Sequence, residues 1–465
     1  MPELEVSPRS TSFPEEFDEA SSGDDDAVTS CLGRVGHQLE ETSRLFSRES
    51  TSPPTIFRFP QSLTGVNWAE VPEIVSIGPY YRKSPNLPGF RRHKLFFLQS
   101  FLRRSKAGKE SLVNCLAARK HRVRSCYSEP VNMTSAYFLE MMLLDCCFVL
   151  ELLQIFDGKD GIKEGGRILR DPWIIPVVIR DLLKLGNQVP FFILVELSLL
   201  KMRGERRELA WTKHEVSKSR DNLCRLALGM FSQVYPICAR AKKSFIEYPH
   251  HLLHLFYSAL LREKRYPREN PPKYPPKSPL SDQSIPCVTK LWHSGIKFKS
   301  VKTNDFLGIN LRKRVLEIPS ITIDDSTTTM LINCLALEQS QGINDYISRD
   351  ITDYISFMYC LISQPKDVSL LCSNGIITRF SHNDQYVANF FNELRKSIAF
   401  NVRDCHLSKQ FEELESYYNS NWAYIKRTYF SSPWSVIAVF FAFLGIALTA
   451  IQTVYAVLGY HSRSR

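Results

Sequence analysis

The 465-residue chain is 44% hydrophobic and 23% charged, a balance typical of folded proteins that excludes disorder throughout. It carries +11 overall, but residues 1–65 hold 12 Asp/Glu against 5 Lys/Arg, a balance of −7 that leaves +18 on residues 66–465. Twelve cysteines occur without a CxxC pair, and Cys146 and Cys147 are adjacent in an apolar run, a pattern that fits neither a zinc ribbon nor a small disulfide-stapled domain.

Residues 1–65 are rich in Ser, Pro, Asp and Glu and are expected to form a disordered acidic tail, because they bury too little apolar surface to offset the entropy of ordering. The N-terminus has no basic n-region and no apolar h-region, so the chain is expected to be made in the cytosol and folded under reducing conditions. From Val71 to Phe90 the density of Pro and Gly predicts an extended lead-in. "RRHKLFFLQSFLRR" then places Leu95, Leu98, Phe101 and Leu102 at three- and four-residue spacing, which predicts a helix. Further helices are expected over 110–127, 134–156, 172–185, 190–203, 217–241 and 249–263.

The seven prolines from Arg265 to Pro286 exclude a helix or sheet interior and predict a surface loop. "GIKFKSV" and "LEIPSITID" alternate as strands do, and a small antiparallel ribbon is expected from them. Asp325 or Ser326 is placed to cap the helix that follows, and the last helices are expected over 345–363, 366–373, 384–398 and 403–430. The fold class is therefore mainly α: one large helical body over 66–430, with a disordered tail before it and a membrane helix after it.

That last segment, over 434–458, is the strongest single signal. Val436 to Leu458 contains no charge; as a helix it covers roughly 34 Å, more than the ~30 Å hydrocarbon core of a bilayer. Trp422 and Trp434 are expected at the membrane interface as aromatic anchors, and Lys426 and Arg427 as headgroup partners. The expected topology is single-pass and tail-anchored with a cytoplasmic body, followed by a short polar tail over 459–465. Asn132 lies in the one glycosylation sequon found and would be used only if the body were lumenal. A basic body suits an anionic lipid surface; the stretch Lys201–Arg220 reads at least as well as a solvated face as a headgroup contact, and no nucleic-acid partner is expected.

Polar residues inside apolar runs are the candidate functional groups. Glu140, Asp145 and Glu151 lie in "FLEMMLLDCCFVLELLQIF", and Asp181, Asn187 and Gln188 in "DLLKLGNQVPFF". On a functional reading they line a cleft, and a membrane-bound hydrolase or transferase built on Glu140, Asp145 and Asp181 requires these acids to converge at a solvent-reachable cavity. On a structural reading Asn187 and Gln188 form the turn before Pro190 and bond free helix-end groups, while the acids pair with Arg or Lys. His250 and His254 have the spacing of a zinc-binding pair but lack the Glu of HExxH, and Asp324–Asp325 read as a helix cap. No catalytic constellation, metal site or cofactor site is expected.

The pieces "IVSIGPYYR", "MMLLDCCFVLELL", "DLLKLGNQVPFFIL", "IPSITIDDST", "LALEQ" and "YFSSPWSVIAVFFAFLGIALTAIQTVY", in this order from about Val71 to Tyr455, resemble the plant family catalogued as domain of unknown function 247. The resemblance implies a mostly helical fold, a C-terminal membrane helix and a plant source, with no catalytic residues to carry over. Some grass relatives are linked to pollen self-incompatibility, which implies a recognition or signalling module whose partners are other proteins. By this resemblance the family usually has His at Tyr81, Glu at Gly186 and Gly at Cys146; if a charge at Gly186 serves function elsewhere in the family, this member is expected to lack that function.

Overall fold

A computed structural model describes residues 28–36, 53–60, 67–82, 90–157, 171–204, 211–236, 248–261, 285–302, 307–340, 349–379, 383–396, 405–429 and 433–463, with a few isolated or excepted positions around them. The chain divides into two units, Met1–Pro53 and Pro54–Arg465. In the first, residues 28–36 are helical and exposed. In the second, Ile56, Phe59 and Leu63 are buried, and Ile56 bridges to Tyr127. The packed body thus begins about ten residues before the point expected from composition, because three apolar side chains in a Ser/Pro-rich stretch reach the core. The Pro-rich loop lies outside the described residues, apart from Ile285 and Pro286.

Helices dominate the second unit. The first group is α1 (Asn67–Glu70), α2 (Arg91–Arg104), α3 (Lys109–Ser125), α4 (Ser135–Ile155), α5 (Ile174–Leu182), α6 (Phe191–Arg203), α7 (Lys213–Phe231) and α8 (Leu252–Leu260). α4 is the hub, with fourteen buried residues and packing against α2, α3, α6 and α7. A helix apolar on every side belongs in a core or a membrane, and α4 takes the core. α7 starts earlier than its hydrophobic spacing predicts, because Thr212 and Glu215 form a capping box.

α2 forms where expected but turned about its axis. Leu95 is 45% exposed while Lys94 is buried, because Lys94 answers the carboxylate of Asp145 on α4. Between these helices Phe148 meets the edges of Phe97 and Phe90, with ring centroids 5.0 Å and 5.4 Å away.

After α9 (Val288–His293) come β1 (Lys297–Val301), β2 (Asn310–Arg312), β3 (Val315–Pro319) and β4 (Ile321–Ile323). The expected antiparallel ribbon is corrected here: β1 runs parallel to β3, from Lys297↔Val315 to Val301↔Pro319. The antiparallel partner of β3 is β2, joined to it by a tight Lys313-Arg314 turn. Alternation fixes which face a strand buries but not its direction, and β2 is too short and basic to announce itself. β4 leaves this sheet and pairs in parallel with β5 (Ile377–Arg379).

The second group is α10 (Asp325–Ser340), α11 (Asp350–Leu361), α12 (Pro365–Ser373), α13 (Asp384–Lys396), α14 (Ser408–Tyr418), α15 (Asn421–Tyr429) and α16 (Pro433–Arg463). The cap of α10 is Asp324, the first of the paired acids, rather than Asp325 or Ser326; it accepts from the Thr327 N–H at 2.7 Å. A single helix over 403–430 was expected; α14 and α15 replace it, broken at Ser420, whose hydroxyl accepts from the Ala423 N–H. Along α16, Ile437–Leu458 is long and apolar enough to cross a membrane, with a mean hydropathy of 2.2 and none of its most apolar stretch buried in the protein.

Candidate functional site

The lead-in from Ala69 to Gly78 is neither helix nor strand over most of its length, yet much of it is buried. Backbone N–H and C=O groups in such a segment need partners from elsewhere, and the polar residues singled out in the sequence supply them. Asp181 Oδ1 accepts from the Glu73 N–H at 2.7 Å, and its Oδ2 from the Ile74 and Val75 N–H groups, both at 2.8 Å. Asn187 Oδ1 accepts from the Ile77 N–H at 2.6 Å, while its Nδ2 donates to the carbonyls of Val75 and Asp181. Asp145 Oδ2 accepts from the Gly78 N–H at 2.9 Å, Lys94 donates to the Ser76 carbonyl, and Lys184 to the Val71 carbonyl. Asn333 on α10 closes the far end, donating to the Ala69 carbonyl and accepting from the Leu185 N–H.

The lead-in is thus a strap held by side chains of α2, α4, α5, the α5–α6 turn and α10. Gly78 is required in it: its φ is +73°, and a Cβ would lie 2.5 Å from the Gln188 carbonyl oxygen. Gln188 itself donates from Nε2 to the carbonyls of Leu182, at the end of α5, and of Lys184, just past it. Burial raises the pKa of Asp181, opposed by Lys184 and the three N–H groups; burial lowers that of Lys184. Every polar contact on the Asp181 carboxyl is a donor, and none of its lone pairs faces solvent.

The acids of α4 go separate ways. Glu140 pairs with Arg91 at the surface, Asp145 with Lys94 at 2.5 Å inside, and Glu151, fully buried, with Arg104 and Lys201. Partner numbers rise together on α2 and α4, so the helices run parallel with a row of ion pairs between them. Lys201 also donates to Gln154 and lies 4.8 Å from the Phe101 ring, and burial lowers its pKa. Glu140, Asp145 and Asp181 therefore do not meet at an open cavity, and the geometry required by a carboxylate enzyme is not present among them.

The histidines are also occupied. His250 and His254 stack with centroids 4.7 Å apart. His254 Nδ1 accepts from the His250 N–H, and His251 Nδ1 from the His254 N–H, which makes His251 the cap of α8. Burial pushes the His254 pKa down to about 3, so this ring is neutral at physiological pH.

Four buried acids escaped the sequence reading, most of their partners lying far along the chain. Glu338 accepts from the Tyr257 hydroxyl (2.6 Å), the Ile351 and Thr352 N–H groups and the Thr352 hydroxyl, and burial raises its pKa to about 7. Asp367 accepts from the N–H groups of Thr289, Ser363 and Gln364. Asp353 Oδ2 faces both the N–H and Nδ1 of His406 at 2.8 Å, and Asp350 Oδ1 lies 3.2 Å from the same Nδ1. Asp353, Cys405 and His406 have ligand atoms within 4.8 Å of one another, the one such metal-compatible group among the described residues. Their hydrogen bonds already close the turn before α14 on the first turn of α11.

Lys426 and Arg427 lie on α15, and Trp422 on the same helix is 55% exposed; the side chain of Trp434 lies outside the described residues. Tyr81 and Gly186 are in contact: a Cβ at 186 would lie 2.9 Å from the Tyr81 ring. Tyr81 and Gly186 are therefore one packing pair, in which the ring takes the space above the glycine.

Residues 56–448 match a family described as plant protein of unknown function, DUF247. UPF0481 protein At3g47200 of Arabidopsis thaliana is 30% identical over 438 residues, covering 87% of this chain and 86% of that protein. Putative UPF0481 protein At3g02645 of the same plant is 21% identical over 498 residues, covering 90% of each. No solved structure matches. With the family matched over most of its length, the chain belongs to the DUF247 family of plant proteins.

Proposed function

We propose that this protein is a membrane-attached recognition or signalling module, single-pass and tail-anchored, whose helical body faces the cytoplasm and binds other proteins. The observation that carries the reading is α16. Its outward side chains include Phe440, Phe443 and Ile446, 63%, 75% and 70% exposed, a surface that water would not leave uncovered. A bilayer covers it at a length of roughly 30 Å. The eleven described cysteines, all free, support a body kept in a reducing compartment. Binding rather than catalysis is supported by the buried acids, whose lone pairs are spent on backbone and side-chain donors within the fold.

Protease protection on sealed microsomes tests the topology, with an endoglycosidase shift for Asn132, which is exposed. A digested body with unmodified Asn132 supports the reading. A protected, glycosylated body overturns it in favour of an extracellular recognition protein.

A further inference from the structure

The β2–β3 turn carries three consecutive exposed cations, Arg312, Lys313 and Arg314. Lys313 and Arg314 have φ of 46° and 68°, the left-handed pair of a type I′ turn, for which Asn-Gly is the easy sequence. A Cβ in that region is disfavoured, so these side chains stand where the backbone gives no reason for them. Arg312 has 75% of its side chain open, with Glu317 at 3.9 Å.

The turn is fastened to the helix that leads into α16. The Arg314 guanidinium lies 5.4 Å from the Tyr417 ring and 6.0 Å from that of Trp422. The Tyr417 hydroxyl donates to the Ser294 carbonyl at 2.9 Å, and the Lys426 side chain lies against Gly295. The sheet edge, the end of α9, α14 and α15 therefore share one surface. α15 ends at Tyr429 and α16 begins at Pro433. Trp422 is then about 10 Å along the α15 axis from Tyr429, close to a Debye length of about 8 Å. Trp422, Tyr424 and Tyr429 are each about half exposed, as interfacial aromatics are. The acids of the same region are Glu317 and, on α14, Glu412, Glu413 and Glu415, with Lys409 beside Glu413; β1 adds exposed Lys297 and Lys299 to the cations of the turn and of α15.

Resting on the membrane attachment proposed above, we infer that the Arg312–Arg314 turn is a second membrane contact, which binds anionic lipid headgroups of the leaflet that α16 enters. The body is then docked on the bilayer at two points and does not swing on its terminal helix. Each cation brought to an anionic leaflet contributes about a fivefold factor in association.

Hydrogen exchange of the full chain in nanodiscs tests this, comparing phosphatidylcholine alone with phosphatidylcholine plus phosphatidylserine. The expected result is exchange in the segment from Ile309 to Leu316 slowed about fivefold or more by phosphatidylserine. Lys313→Glu and Arg312→Glu, both exposed and outside the core, should each abolish most of that difference while leaving exchange in α4 unchanged. Equal exchange of the turn in both lipids, with α16 protected in both, overturns the docking and leaves the membrane attachment standing. An unprotected α16 overturns both.

Discussion

Replacing Asp181 tests whether the polar cluster is a clamp. The carboxylate accepts three buried backbone N–H groups, from Glu73, Ile74 and Val75, and stands 3.7 Å from the buried Lys184 ammonium. Asp181→Ala leaves three donors unpaired at ~1–3 kcal/mol each, so the cost should be about 3–6 kcal/mol after partial relaxation. That is a large share of the ~5–15 kcal/mol typical of a whole domain, so Asp181→Asn is the gentler probe. An Asn oxygen in the Oδ2 position keeps the Ile74 and Val75 bonds and turns its amide towards the Glu73 N–H, for a cost of about 2 kcal/mol. Denaturant titration of the full chain in detergent micelles gives the stability change, and hydrogen exchange of the segment over 71–78 gives its location. For Asp181→Asn the strap amides should exchange about thirtyfold faster. A loss below about 1 kcal/mol for Asp181→Ala, with strap exchange unchanged, would refute the clamp.

Gly78→Ala should cost about 2–4 kcal/mol, since the added Cβ meets a backbone carbonyl at a left-handed φ; the denaturation midpoint measures it, and a neutral result would mean that the strap is loosely seated. Glu338 has a folded-state pKa of about 7 against an ordinary 4.5. A raised acid favours the fold when protonated, so its contribution is complete below pH 4.5 and declines as pH rises to about 7, by about 3 kcal/mol. Urea unfolding across this range should show that slope in the parent and a weaker one in Glu338→Gln, whereas parallel slopes would count against it. Glu151→Ala leaves Lys201 buried without its carboxylate and should cost about 3–5 kcal/mol, more than Glu140→Ala, whose partner Arg91 is exposed; comparable losses for both variants would contradict the burial described.

Much of the helical framework was legible in residue spacing, because an apolar stripe and a cap are local features. α4 announced itself by length and apolarity, and α16 by its freedom from charge. Long-range relations were illegible. Nothing near Asp181 indicates that its partners are the N–H groups of Glu73 to Val75, more than a hundred residues earlier, and Glu338 is read only when the start of α11 is seen against it. The turned face of α2 has the same origin, since a buried Lys94 makes sense only beside Asp145. The parallel pairing of β1 with β3 depends on a three-residue strand between them. Some missed features were nonetheless local: the Thr212–Glu215 capping box and the Ser420 break carry ordinary helix-start patterns.

The closure of the strap by Asn333 bears on how the protein is born. Ala69 and Asn333 are 264 positions apart; at ~5–20 residues per second a ribosome needs roughly 13–50 s to travel between them. During that interval the strap has been synthesised and its last partner has not. The open part is the Ala69 end, because the clamps on Val75 and Ile77, Asp181 and Asn187, are synthesised well before Asn333. A segment that leaves the ribosome early is thus closed in two stages, most of it by residues up to Asn187 and its Ala69 end only when Asn333 follows.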